Sequence, residues 1–346
     1  MKIIQMISED EAALYDRQIR LWGVDAQKKL LSSRILLINI NGVAAEIAKN
    51  LVLGGIHSLT IMDFKTVSPE DLKFNFLLDQ SSVGKNRAES CVNALQTLNP
   101  MVKVYSDKEP LSLKDPQFLS DKNFDLVCII SNDFDEINKI NKICRNNNVL
   151  FLSGYVFGLY GFMFVDFNSY QYIVEAPKIS EDNFDKKKNA QDAGCSVKQE
   201  AEEKLTFEER KTDFKSFENF INEYDHVLKN LSTTKLKRLS KTYLIILLFR
   251  EFLEHFKRPF DSKIPEDTEN LLNLKKKLFD DLKIDQDLLS DTYLLSKTFD
   301  EFSPVNAILG GIIAQEIIKA ISKKNEPVDN FFLFDGNLML GEVIKI

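Results

Sequence analysis

The stretch from Arg34 to Asp63 constrains this chain more than any other. Ile35 to Ile40 is a short apolar run with a charge before it and Asn41-Gly42 after it, which reads as a buried strand of a parallel sheet. From Ala44 to Leu53 the pattern switches to helical spacing. Ala45, Ala48, Leu51 and Val52 share one face, and Gly54-Gly55 end the helix. Ser58 to Met62 is a second strand, closed by Asp63. Strand, helix and strand in this order, with an acid at the tip of the second strand, open a doubly wound fold. The prediction is an α/β chain with a Rossmann-like, mostly parallel sheet.

The turn after the first strand does not suit a nucleotide. The fingerprint G-x-G-x-x-G would put glycines at Asn39, Asn41 and Ala44. Asparagine at 39 tolerates positive φ. Asn41 places a side chain where backbone should approach phosphate, and alanine at 44 still lets helix and strand pack closely. Gly42 is the one glycine left in the loop. On the residues alone, a doubly wound domain whose crevice binds nothing ranks above a nucleotide site.

The chain has 346 residues, enough for one large domain or two smaller ones, and its 44% hydrophobic content supports a sizeable core. A net charge of −7 argues against a nucleic-acid partner. Residues 1–11 lack the apolar core of a signal peptide, so the expectation is a protein of the nucleus or cytoplasm that is not secreted. The longest apolar run, Tyr243 to Phe249, falls far short of the roughly 20 residues of a membrane span. Cys91, Cys128, Cys144 and Cys195 have no close-paired spacing and read as free thiols, while His57, His226 and His255 are isolated, so no metal site is expected.

Read in order, residues 8–22 form a first helix, with Ser8 and Glu11 as a capping box. Arg17 and Arg20 lie three apart on it, and spacing alone makes them a solvated face paired with Asp16. Ser82 caps a helix from Val83 or Gly84 to Leu98, and Asp133 to Asn147 is helical. Met101–Tyr105, Phe124–Ile130 and Val149–Leu152 are further strands. Tyr160–Phe167 and Tyr170–Glu175 read as an antiparallel pair extending the sheet. Residues 178–204 are charged and poor in large apolar groups, a mobile loop. Phe207 to Asp291 reads as helical, with the stripe Tyr243, Ile246, Leu247, Arg250 and Leu253 as core packing. Phe302 to Ile321 is a helix whose Gly310-Gly311 implies close approach of another element. Phe331–Asp335 and Glu342–Ile346 are closing strands.

Tyr15–Gly23 (YDRQIRLWG), Gly42–Ile56, Val83–Glu89 (VGKNRAE), Leu98–Val102, Ser303–Ile321 and Asn330–Gly336 together resemble the activating enzymes of ubiquitin-like modifiers, nearest to the branch that activates SUMO. The resemblance covers residues 9–175 and 240–340 well and 178–235 poorly. It implies a ThiF/MoeB-type adenylation fold: a first part over 1–176, a charged loop over 177–206, a helical insert over 207–300 and a closing part over 301–346.

In that family two related halves form one pseudo-symmetric unit, and this chain resembles the degenerate half. The active half's Asn-Arg-Gln aligns with Lys73-Phe74-Asn75, its magnesium aspartate with Asn132, and its lysine after Val-Gly with Arg87. Asp63 is retained in a structural role. The resemblance implies that ATP and Mg²⁺ are bound by the larger, cysteine-bearing partner subunit and not by this chain. It also implies that Arg17 meets the partner's ATP in trans, with Arg20 as second candidate. A fixed guanidinium there offsets charge as a carboxylate attacks the α-phosphate and pyrophosphate leaves. The alternatives are the corresponding subunit for NEDD8, disfavoured by length, and a non-catalytic binding scaffold.

Overall fold

The computed structural model describes residues 7–115, 117–121, 123–177, 205–230, 240–258, 260–295 and 300–344. Among these residues the strands are β1 (Arg34–Ile38), β2 (Ser58–Met62), β3 (Lys103–Asp107), β4 (Leu126–Ile130), β5 (Leu150–Phe157), β6 (Tyr160–Asp166), β7 (Ser169–Pro177), β8 (Leu205–Asp213), β9 (Phe331–Asp335) and β10 (Leu340–Ile344). The main sheet runs β10-β9-β6-β5-β4-β1-β2-β3. The five strands from β5 to β3 are parallel, and β6, β9 and β10 extend the sheet antiparallel. From β1 the chain steps one way through β2 and β3 and the other way to β4 and β5. Such a reversal opens a crevice above the carboxyl ends of β1 and β4.

The main helices are α1 (Glu9–Leu14), α2 (Asp16–Trp22), α3 (Val24–Leu30), α4 (Gly42–Gly54), α5 (Arg87–Leu98), α6 (Phe134–Asn146), α7 (Phe217–Asn230), α8 (Lys241–Phe256), α9 (Pro265–Leu282) and α10 (Ser303–Ser322). The central strands are buried on both faces. Ile35, Leu37, Leu126 and Cys128 enter one core with α4, α5 and α10. Leu36, Ile38, Val127 and Ile129 enter the other with α6 to α9. Two buried faces explain why these strands read as continuous apolar runs rather than as alternation. The second core is built largely from aromatic rings: Phe164 meets Phe217 edge-on at 5.0 Å, and Phe220 stacks on Phe331 at 5.0 Å. α8 is buried from Thr242 through Phe249, as its all-round apolar surface requires.

α10 is long and apolar enough to cross a membrane, but 67% of its apolar window is buried inside the fold. Gly310 lets it press on α4: a Cβ there would lie 2.6 Å from Glu46 Cβ and 3.0 Å from the Val43 carbonyl oxygen. Gly311 faces open space, so only the first of the two glycines serves close approach.

Three expectations are corrected. The helix read over 8–22 is two helices, broken at Tyr15, where φ is −99° and ψ 13° and the ring turns inward to 1% exposure. The helix read from Val83 or Gly84 starts at Arg87, capped by Asn86, because Gly84 sits at φ +82° in a turn. β7 does not pair with β6. It pairs over Ser169–Pro177 with β8, which begins at the end of the loop read over 177–206 and runs into the segment read as helical from Phe207. The buried Asp166 carboxylate accepts from Asn168 N–H at 3.0 Å and from Arg145 Nη1 at 2.6 Å, and Asn168 at φ +58° leads the chain out of the main sheet. β8 is solvent-exposed along most of its length, so it carries no apolar face from which a strand could be read. The stretch 178–204, read as a mobile loop, lies outside the described residues.

Candidate functional site

The crevice at the β1–β4 reversal is filled by the chain's own polar groups. Asn39 adopts φ +66° and donates from Nδ2 to the Ile130 carbonyl at 3.1 Å, lacing β1 to β4. Asp63 is buried. Its Oδ2 accepts from Ile40 N–H at 3.0 Å, its Oδ1 from Lys65 N–H at 2.9 Å, and Arg87 Nη1 stands 3.5 Å from it. Arg87 also pairs with Asp71 at 2.9 Å, so this guanidinium neutralises two acids of its own chain. Asn75 Nδ2 donates to the Ile40 carbonyl at 3.1 Å and its Oδ1 accepts from Leu77 N–H at 3.1 Å. Phe74 is half-buried and its carbonyl faces Gly42.

Asn41 caps α4, accepting from Ala44 N–H at 3.1 Å. Gly42 N–H donates to Glu301 Oε2 at 2.9 Å, and Asn306 Nδ2 donates to the same oxygen at 3.0 Å. A Cβ on Gly42 would overlap both of those side chains. Burial pushes the Glu301 carboxyl above its ordinary pKa, while bonds from Asn306, Gly42 and Asn41 and the charge of Arg87 pull it back. At the end of β4, Asn132 is half-buried, and the following Asp133 is engaged as the cap of α6, accepting from Asp135 and Glu136 N–H at 3.0 and 3.1 Å. Where a phosphate would need converging donors, the loop presents a carboxylate, and this set does not fit a triphosphate and its metal.

The second candidate feature is the arginine helix. Tyr15 Oη accepts from Asn99 Nδ2 at 2.8 Å, and its ring lies over Gly55, where an added Cβ would be 2.7 Å from Tyr15 Oη. Gly55 needs φ +77° as well as this space. Gln18 Nε2 donates to the Leu53 carbonyl at 3.0 Å, and Trp22 Nε1 to Gln27 Oε1 at 3.0 Å. Three motifs noted in the sequence, around Tyr15, Gly55 and Asn99, thus meet at one joint that fixes α2. On that helix Arg20 pairs with Asp16 at 2.9 Å, the solvated pair its spacing implied. Arg17 is exposed and has no ion pair among the described residues. Leu14 is 56% and Leu21 78% exposed, three residues before and four after Arg17.

The described cysteines are poor nucleophiles. Burial pushes Cys91 up to about 12 and Cys128 and Cys144 higher still. Sequence reasoning missed Glu301, Asn306 and Asn99. Asn99 and Asn306 lay inside quoted motifs, but Glu301 had no local signal.

The ThiF family model matches residues 15–346. SUMO-activating enzyme subunit 1 of Xenopus tropicalis is 37% identical over 342 residues, covering 98% of this chain and 96% of its own length. The Homo sapiens protein of the same name is 38% identical over 337 residues, covering 95% and 93%. Among solved structures, Escherichia coli MccB crystallised with succinimide is similar at a TM-score of 0.53 and 14% identity, covering 96% of this chain and 71% of that one, a likeness of fold alone. The chain belongs to the ThiF family, and within it to the SUMO-activating enzyme subunit 1 proteins.

Proposed function

We propose that this chain is the regulatory half of a heterodimeric SUMO-activating enzyme, in the nucleus or cytoplasm, with no nucleotide bound in its own crevice. The larger partner subunit holds ATP and Mg²⁺, adenylates the C-terminus of SUMO and accepts it on a cysteine. This chain docks against that partner and extends Arg17 to the partner's ATP. A rigidly placed guanidinium there stabilises charge that grows as pyrophosphate leaves.

The observation that carries the reading is the contrast between the two features. Arg17 stands exposed on a helix anchored at Tyr15, Gln18 and Trp22, with apolar Leu14 and Leu21 beside it. The crevice that would bind ATP in this chain holds Glu301 instead. The relatives' name, subunit 1 of a SUMO-activating enzyme, supports both the partner and the modifier.

The test is modifier-dependent ATP–pyrophosphate exchange, with this chain alone and mixed with a candidate larger subunit. Exchange is expected in the mixture only, and with SUMO rather than another modifier. Arg17→Ala is expected to lower exchange in the mixture by about 10²-fold or more, with the roughly 10³–10⁵ reached by arginine fingers in other phosphoryl transfers as the upper analogy. Arg20→Ala, already bonded to Asp16, is expected to lower it less. Exchange by this chain alone, or an Arg17→Ala mixture at full rate, would overturn the assignment.

A further inference from the structure

The 20 residues of α10 span about 30 Å, and at the end remote from Glu301 a second cavity opens. Its volume is about 540 Å³, and its walls are α3, the β7–β8 hairpin and the turn that follows α10. Hydrogen bonds tie these walls together. Ile173 N–H donates to the Lys323 carbonyl at 3.0 Å and Asn325 N–H to the Ile173 carbonyl at 2.9 Å, stitching β7 to the turn. Lys29 Nζ donates to the Ser322 carbonyl at 2.6 Å and holds α3 against the end of α10. Val24, Ala26, Ile173 and Phe207 make one part of the lining apolar, and Val24 and Phe207 remain 46% and 61% exposed. Lys28, Lys29 and Lys324 bring three ammonium groups to it, against one acid, Asp25. Basic residues complement the carboxyl ends of helices, but that role is already filled by Lys29 at the end of α10. Lys28, Lys323 and Lys324 have no ion pair among the described residues. Lys324 Nζ lies 3.4 Å from where a Cβ on Gly23 would stand, which places its charge over the junction of α2 and α3. Burial and the charges of Lys323 and Lys324 hold the Lys29 ammonium below its ordinary pKa, opposed by Asp25.

We propose that this cavity binds an acidic peptide segment of a partner protein and seats one large apolar side chain of that segment. Ammonium groups on two separate elements, α3 and the turn after α10, call for several carboxylates, which a run of acids supplies and a small monoanion does not. The apolar wall is on the hairpin side, where Glu175 and Glu209 stand opposite Phe207 and Ile173 in register. The segment therefore turns its acids toward α3 and the turn, and its apolar side chain toward Phe207 and Ile173. The whole chain carries a net charge of −7, so a local gathering of lysines is where an acidic segment is steered. Neither Arg17 nor the β1–β4 crevice takes part.

The test uses the full chain and a fluorescein-labelled heptapeptide of alternating glutamate and aspartate around a central phenylalanine, followed by fluorescence anisotropy. Saturable binding is expected at low salt, weakening steadily as added salt screens the charges. Replacing the peptide's phenylalanine by alanine is expected to weaken binding about tenfold. Lys28→Glu combined with Lys324→Glu is expected to weaken it at least about tenfold. These substitutions leave Lys29 and its bond to Ser322 in place, and circular dichroism checks that the variant is folded. Should the double variant not fold, Lys28→Glu alone carries the test, with a smaller loss of the same sign. No saturable binding to the wild-type chain would overturn the proposal, as would equal binding of a peptide with lysines in place of its acids. Full binding by a folded lysine variant would overturn it too. So would self-association of the chain that the same substitutions abolish, since the occupant would then be a second copy.

Discussion

A thiol at pH 8 with a pKa of about 12 is ionised on the order of one part in 10⁴, and Cys91 is in that position because burial outweighs the bond from Asn75. Cys128 and Cys144 are pushed further, for the same reason. Cys91, Cys128 and Cys144 are therefore expected to resist iodoacetamide at pH 8 in the native chain and to react fully in guanidinium, read by peptide mass spectrometry. Modification of any of the three in the native chain would show that its core opens. The two arginines of α2 illustrate how little spacing decides at this scale. Both sit on an exposed face, but only Arg20 meets Asp16. Which arginine stays uncommitted depended on side-chain placement, which a three-residue interval does not encode. Glu301 is the stronger case. It bonds Gly42 across 259 positions of chain, and nothing in its own neighbourhood marks it.

The helix α10 carries two adjacent glycines with opposite surroundings. A methyl at Gly310 would meet Glu46 Cβ and the Val43 carbonyl, whereas at Gly311 it would meet nothing within 4 Å. Gly310→Ala is expected to destabilise the chain by about 1–3 kcal/mol through overpacking. Gly311→Ala is expected to stabilise it by about 0.5–1 kcal/mol, from helix propensity and unfolded-chain entropy. Urea unfolding of the two variants checks both signs. Element type was legible wherever a strand or helix had a buried face: β1, β2, β4, α4 and α10 all appear where apolar periodicity put them. It failed at β8, whose nine residues are ordered by backbone pairing with β7 and not by burial. It failed again at Tyr15, where a helical pattern continued through a break made by one ring seeking Gly55 and Asn99.

For the molecule as a whole, the exposed Leu14 and Leu21, near Arg17 in the chain, are the surface that the proposed function assigns to the partner subunit. Leu21→Asp changes a side chain that is 78% exposed, so the isolated chain is expected to melt within about 0.5 kcal/mol of wild type. Its binding to the larger subunit is expected to weaken about tenfold or more, measured by titration calorimetry. Unchanged binding would move the interface elsewhere. The sequence by itself determined the doubly wound fold, the damaged phosphate loop and the family, because each is written in periodicities and motifs that span at most about twenty residues. Tertiary structure alone decided what fills that loop, which arginine is left exposed and unpaired, and how β7 pairs. Those outcomes depend on contacts between residues far apart in the chain, and such contacts become defined only when the two cores close around the sheet.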